Sequence, residues 1–336
     1  MAPEGEVVMR RSLIHMFLAM AILMPFAAHA SKRVLIITNR GCEEICKAFQ
    51  SALSRDGPVE FTLRDVGGDM GRLPPIVTEI RRERPDLVAT WGTGITLGVV
   101  GKVGASDPSK HIVDIPVVYM YVGNPVESGV VLSAERSGRS NVAGANIAVP
   151  ITAQIGLMQA YRSFDRVGMI YNTNEPAATA QAAAARKVFE AQGVAVTAIT
   201  IEPGPMGDPD PARIVPALDT LARNRPGFLY YVGSTFMLKH VGVLSQGAVE
   251  RGIPIFTAQE PSYRNGLIQL GLVSPLAGIG QSAAWQASQI LFHGHSPGSL
   301  PTPTITRHSV MINMRSARAL GVYPPMTLLQ FAEITR

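Results

Sequence analysis

The sequence predicts an α/β protein of two lobes, each with a mainly parallel sheet. Three observations carry this. Short apolar runs rich in β-branched residues alternate with helix-compatible segments along almost the whole chain, the pattern of buried parallel strands joined by right-handed helical crossovers. The alternation restarts near residue 151, which makes two successive α/β units, and 336 residues leave room for two domains of ordinary size. Third, the run 87–91 feeds a helix through Gly92-Thr93-Gly94. Such a turn leaves backbone N–H groups and a hydroxyl at a helix N-terminus, a seat for a carboxylate.

In the first unit, 33–38 reads as a strand, Asn39-Arg40-Gly41 as its loop, and 42–53 as a helix with Ile45, Phe49, Ala52 and Leu53 on one face. A strand over 59–63 and a helix over 73–84 follow, with Pro74 and Pro75 tolerated near the helix start. After strand 87–91 comes a helix over 95–103. Strand 115–121 leads into the loop 122–129, and 141–144 is a short fifth element.

In the second unit, helix 151–162 precedes strand 167–171, the loop 172–176 and an Ala-rich helix to 192. Strand 195–201, the Gly/Pro/Asp-rich loop 202–211 and helix 212–223 come next. Strand 227–232 ends in Gly233-Ser-Thr235, and one helix is expected over 236–251. Strand 253–257, the loop 258–263 and strand 267–272 follow. Ser274 is placed to cap a long helix over 275–292. A linker, 293–303, an extended stretch, 304–313, and a short terminal helix complete the chain.

The N-terminus reads as an export signal. Arg10-Arg11 precede the apolar run 13–26, and Ala28-His29-Ala30 forms a small-residue cleavage site, so residues 1–30 are expected to be removed after Ala30. The run is too short for a membrane anchor. The acidic leader, with Glu4 and Glu6, is unusual in such a segment and suggests a start at Met9; a precursor beginning at Met1 would refute this. Cleavage removes two acidic and two basic residues, so the net charge stays at +5. No basic run with interleaved aromatics exists, so nucleic acid is not expected as a partner. The two cysteines, Cys42 and Cys46, would sit in an oxidising compartment; the spacing is compatible with a local disulfide or with two free thiols.

Enzyme chemistry finds little support. Gly92-x-Gly94-x-x-x-Gly98 is one residue too long for the dinucleotide fingerprint and follows the third strand rather than the first. No nucleophile elbow, zinc-protease motif or phosphate-binding loop of the NTPase kind is present. His293 and His295 lie in the Gly/Pro linker and read as solvated. No metal site and no cofactor are expected.

Several segments, in order, resemble a family of bacterial ABC-transporter substrate-binding proteins with tryptophan- and tyrosine-binding members. Asp86-Leu-Val-Ala-Thr-Trp-Gly-Thr93 looks like the family's D-hydrophobic-GT turn. Ile115-Pro-Val-Val with Pro125-Val-Glu-Ser-Gly129, Asn141-Val-Ala-Gly144, Val167-Gly-Met-Ile-Tyr-Asn172, and Val310-Met-Ile-Asn-Met314 with Ala319-Leu-Gly321 and Pro324-Pro325 are similar to further family segments. The family pattern has Asp where Asn124 stands and Thr where Ala143 stands.

The resemblance implies a type I periplasmic binding protein: two Rossmann-like lobes joined by a hinge. The lobes would be 31–146 with about 273–303, and 147–272 with about 304–336. The ligand, a small polar molecule such as an amino acid or carboxylate, would sit between them. The loops at strand C-termini would then bind it through Asn39, Arg40, Gly41, Thr93, Gly94, Tyr121 and Asn124 from one lobe. Asn172, Asn174, Ser234, Thr235, Glu260 and Tyr263 would serve from the other, with Glu260 the candidate for a ligand cation. The expected role is that of a monomeric, periplasmic component delivering solute to the membrane permease of an ABC importer. The alternatives are a periplasmic sensor that signals to a membrane receptor without transport, and an exported enzyme.

Overall fold

The computed structural model describes residues 31–205 and 207–336. The predicted signal peptide and its cleavage site lie outside these residues. Two sheets form two lobes.

The first sheet has the strand order β2-β1-β3-β4-β5, all parallel. Its strands are β1 (Lys32–Thr38), β2 (Val59–Asp65), β3 (Leu87–Trp91), β4 (Val117–Met120) and β5 (Val142–Gly144). Alternate residues point to opposite faces. Leu35, Ile37, Val88, Val117 and Val142 pack against α2 (Leu73–Glu83) and α3 (Thr93–Val100). Val34, Ile36, Leu87, Ala89 and Val118 pack against α1 (Glu44–Leu53) and α10 (Leu276–Leu291) on the other face. Burial on both faces explains why these strands read as continuous apolar runs.

The second sheet has the order β12-β11-β10-β9-β8-β6-β7, and its only antiparallel pair among the described residues is β10–β11. Its strands are β6 (Arg166–Asn172), β7 (Ala195–Ile201), β8 (Phe228–Tyr231), β9 (Ile255–Thr257), β10 (Leu270–Val273), β11 (Ser309–Asn313) and β12 (Ala332–Thr335). One face packs on α4 (Ile151–Tyr161) and α5 (Pro176–Ala191). The other packs on α6 (Ile214–Arg223), α7 (Thr235–Lys239), α8 (Val241–Glu250) and α9 (Glu260–Asn265). The short helices α11 (Met314–Leu320) and α12 (Met326–Leu329) precede β12.

The chain crosses between lobes three times, and the crossings touch. Asn146 bridges Thr304 in parallel; the Asn146 N–H donates to Pro303 O at 2.9 Å and the Ile305 N–H to Asn146 O at 2.9 Å. The Ser274 hydroxyl donates to Ile147 O at 2.9 Å. α10 follows a strand of the second sheet yet packs on α1 of the first lobe. Gly280 permits the close approach, because a Cβ there would lie 2.9 Å from the Ala48 Cβ.

Several sequence expectations need correction. The helix expected over 236–251 is two helices that meet at His240, whose backbone (φ −111°, ψ 17°) breaks the first and opens the second. The helix expected over 95–103 is α3, which starts at Thr93 and stops at Gly101, whose φ of +69° a side chain would resist. The strand expected over 267–272 is β10, and α9 occupies much of the loop expected over 258–263. Ser274 does not cap α10, because its hydroxyl is spent on Ile147. The chain ends in a strand, β12, parallel to β11.

Candidate functional site

In an open parallel sheet, the loops beyond the strand C-termini bind ligands. In the first lobe those loops carry an aromatic stack. The Trp91 indole closes β3, and the Tyr121 ring follows β4. Their centroids are 5.1 Å apart with planes inclined by 13°. The Arg40 guanidinium lies 5.8 Å from the centre of the Trp91 ring, within cation–π range. Arg40 also meets the Glu43 carboxylate at 3.4 Å, and both side chains are about two-fifths exposed (38% and 40%).

Next to the stack, Gly92 (φ +83°) turns the chain into α3. Thr96 locks that turn, its hydroxyl reaching Gly92 O at 2.8 Å and Thr90 Oγ1 at 2.9 Å. Among the described residues, no side-chain acceptor engages the Thr93 or Gly94 N–H. Tyr121 (φ +57°) and Asn124 (φ +49°) hold left-handed backbone without being glycine. That conformation costs a bulky residue on the order of 1–3 kcal/mol, and such strain gathers at ligand clamps. Burial raises the Tyr121 phenol pKa above its ordinary value; nearby Arg40 opposes the rise, and Glu260 and Glu43 add to it.

The second-lobe candidates largely bind one another. Asn172 is fully buried at the end of β6. Its Nδ2 donates to Asn174 Oδ1 at 2.7 Å and to Glu175 Oε1 at 3.1 Å, and its Oδ1 accepts the Ser234 hydroxyl at 2.6 Å. Ser234 Oγ in turn accepts the Met237 N–H at 2.9 Å and caps α7. Glu175 accepts the N–H groups of Thr235 (2.8 Å) and Phe236 (3.0 Å). Asn174 Nδ2 donates to Gly207 O at 3.3 Å.

Two expected cleft residues are committed elsewhere. Glu260, 4% exposed, cannot offer a free carboxylate. Its Oε1 accepts Arg264 Nε at 2.6 Å and also meets Arg264 Nη2, while its Oε2 accepts the Leu276 N–H at 2.9 Å at the start of α10. Tyr263, 2% exposed, sits in the core, and its hydroxyl bonds Thr335 Oγ1 of β12 at 2.8 Å. The two cysteines form a disulfide, with Cα atoms 5.1 Å apart. Cys42 precedes α1 rather than lying within it, and the bridge ties the Asn39–Gly41 loop to the first turn of that helix.

Sequence reasoning passed over Trp91, Glu175 and Tyr231. Tyr231 ends β8, is 1% exposed, and its hydroxyl makes no hydrogen bond of normal geometry among the described residues. Burial raises its pKa; Ser262 is near enough to oppose the rise, and Tyr121 and Glu175 add to it. The available signal is position: each aromatic closes a strand whose loop carries candidate residues.

Residues 34–335 match the model of a family described as ABC transporter substrate binding protein. The chain belongs to this family. It is a family of solute-binding proteins rather than enzymes, and substrate-binding proteins of ABC systems work outside the cytoplasmic membrane. Among the described residues, no helix is long and apolar enough to cross a membrane. A tyrosine-binding protein of Clostridioides difficile (strain R20291) is 23% identical over 278 residues, covering 82% of this chain and 75% of that one. An ABC domain from Streptococcus pneumonia, solved in complex with L-Trp, superposes with a TM-score of 0.75 at 17% identity, covering 91% of this chain and 99% of that one. A ligand-free, open substrate-binding protein with adhesive properties from Clostridium difficile gives 0.73 at 19% identity, with 91% and 99% covered. These likenesses bear out the type I periplasmic-binding-protein fold expected from the sequence.

Proposed function

We propose that the protein is the periplasmic solute-binding component of an ABC importer and that it binds a small carboxylate-bearing molecule between its lobes. The lobes divide at the three touching crossings, about residues 146, 273 and 304. One observation carries the reading. Arg40, the Trp91–Tyr121 stack and the start of α3 form one surface beyond the C-terminal ends of β1, β3 and β4. Arg40 with the Thr93 and Gly94 N–H groups matches a carboxylate, and the stack matches an apolar or aromatic body. The tyrosine-binding relative supports an aromatic, carboxylate-bearing ligand.

Closure about the hinge would bring the Thr235 and Asn174 side chains to the ligand's far side and hand a membrane permease a ligand-dependent shape. The protein acts as a monomer, exported with cleavage after Ala30.

Thermal-shift screening of residues 31–336 against amino acids, small carboxylates, sugars and purines tests the reading. A ligand at a hundredfold excess over its Kd adds roughly 2.7 kcal/mol of stability. A carboxylate-bearing compound should give the largest shift; a sugar or purine doing so would refute the carboxylate reading.

A further inference from the structure

We propose that the ligand is an aromatic carboxylate without an α-ammonium group. This rests on the cleft being the solute site and asks what charge that cleft accepts.

Three acidic groups near it already have partners. Glu175 takes two backbone N–H groups and Asn172 Nδ2. Glu260 takes Arg264 and the first N–H of α10. Glu43 faces Arg40. Position 124, where a carboxylate would suit an ammonium group, is Asn.

The donors left for an anion are the Thr93 and Gly94 N–H groups, together with Arg40, which the exposed Glu43 carboxylate holds at 3.4 Å. An ammonium group closed into this cleft would lose its water without gaining an anion, and an uncompensated buried charge is strongly unfavourable. A planar ring fits the flat Trp91–Tyr121 stack.

The test is calorimetric titration of residues 31–336 with matched pairs. Tyrosine is set against 3-(4-hydroxyphenyl)propionate, and tryptophan against indole-3-propionate; each pair differs only in the ammonium group. The acid should bind at least about a hundredfold more tightly than its amino acid. Equal or tighter binding of the amino acid overturns the inference and leaves the solute-binding reading standing. If neither pair binds while another carboxylate shifts the melting curve, the ligand class is likewise wrong and the reading survives. If no solute shifts the curve, both fall.

Glu43→Gln provides a second arm. It releases Arg40 and should tighten the acid by about two- to fivefold, the range of one exposed ion pair. If Glu43 were an ammonium receptor, the same variant would instead weaken tyrosine or tryptophan.

Discussion

The Trp91 and Tyr121 rings stack 5.1 Å apart although Trp91 closes β3 and Tyr121 follows β4. The two strands are adjacent and parallel, with Trp91 opposite Met120, so the next residue, Tyr121, can turn back over Trp91 only by leaving strand geometry. Its left-handed backbone is how it does so. Ligand binding should therefore be visible in Trp91 emission. The other tryptophan, Trp285, is half exposed on α10, so Trp285→Phe leaves a single reporter. Titrating that variant with its ligand should change the intensity or wavelength of emission; a flat signal at saturation would place the ligand away from the stack.

Arg40→Ala should weaken a carboxylate ligand by roughly tenfold or more, because a charge-assisted contact contributes about 1.5–3 kcal/mol. The side chain is exposed and holds only Glu43 and the Trp91 face, so the melting temperature should barely move. Calorimetry and thermal denaturation together separate the two effects.

Glu175→Ala should destabilise the fold by about 0.5–2 kcal/mol, the cost of losing a helix cap, since Thr235 and Phe236 lose their acceptor. Urea denaturation measures this. An unchanged midpoint would mean that water replaces the carboxylate without loss.

His308 and His240 give the stability curve an acid slope. Burial holds both below the ordinary value of 6.5, and at His240 repulsion from the neighbouring Lys239 adds a smaller push in the same direction. The unfolded chain then binds protons more readily than the folded one. Their contribution is fully present above pH 6.5 and is lost as pH falls below it through the folded values. His308 lies close to the crossing segments, 3.3 Å from Ser274 Oγ. His308→Gln should flatten the slope in part, leaving the share of His240, as read from melting temperatures on either side of that value.

Reduction of the Cys42–Cys46 bridge should cost about 2 kcal/mol, because so short a loop removes little entropy from the unfolded chain. Denaturation with and without reductant checks this; a loss far above that value would mean that the bridge also holds α1 against α10.

Most of the sheet architecture was legible in the sequence because the strands are buried on both faces, so runs such as 33–38 and 87–91 stand out without alternation. The break at His240 was not, because the apolar pattern runs on through it from Met237 to Leu244. β12 escaped notice because four residues with exposed Glu333 and Ile334 carry no buried-strand pattern. At the site, the Gly92–Gly94 turn and Arg40 could be read from residue type. The fate of Glu260 could not: its partners, Arg264 and the Leu276 N–H, are set by where α9 and α10 meet. Trp91 and Tyr231 resemble core residues in any one-dimensional pattern, and only the ends of their strands set them apart.

Hydrogen–deuterium exchange, with and without the compound that stabilises most, tests the two-lobed clamp most directly. A ligand clamped between the lobes should slow exchange both in the first-lobe loops, around residues 39–43 and 92–95, and in the second-lobe loops, around 172–175 and 233–236. Protection confined to one lobe, or found away from both sets of loops, would contradict it.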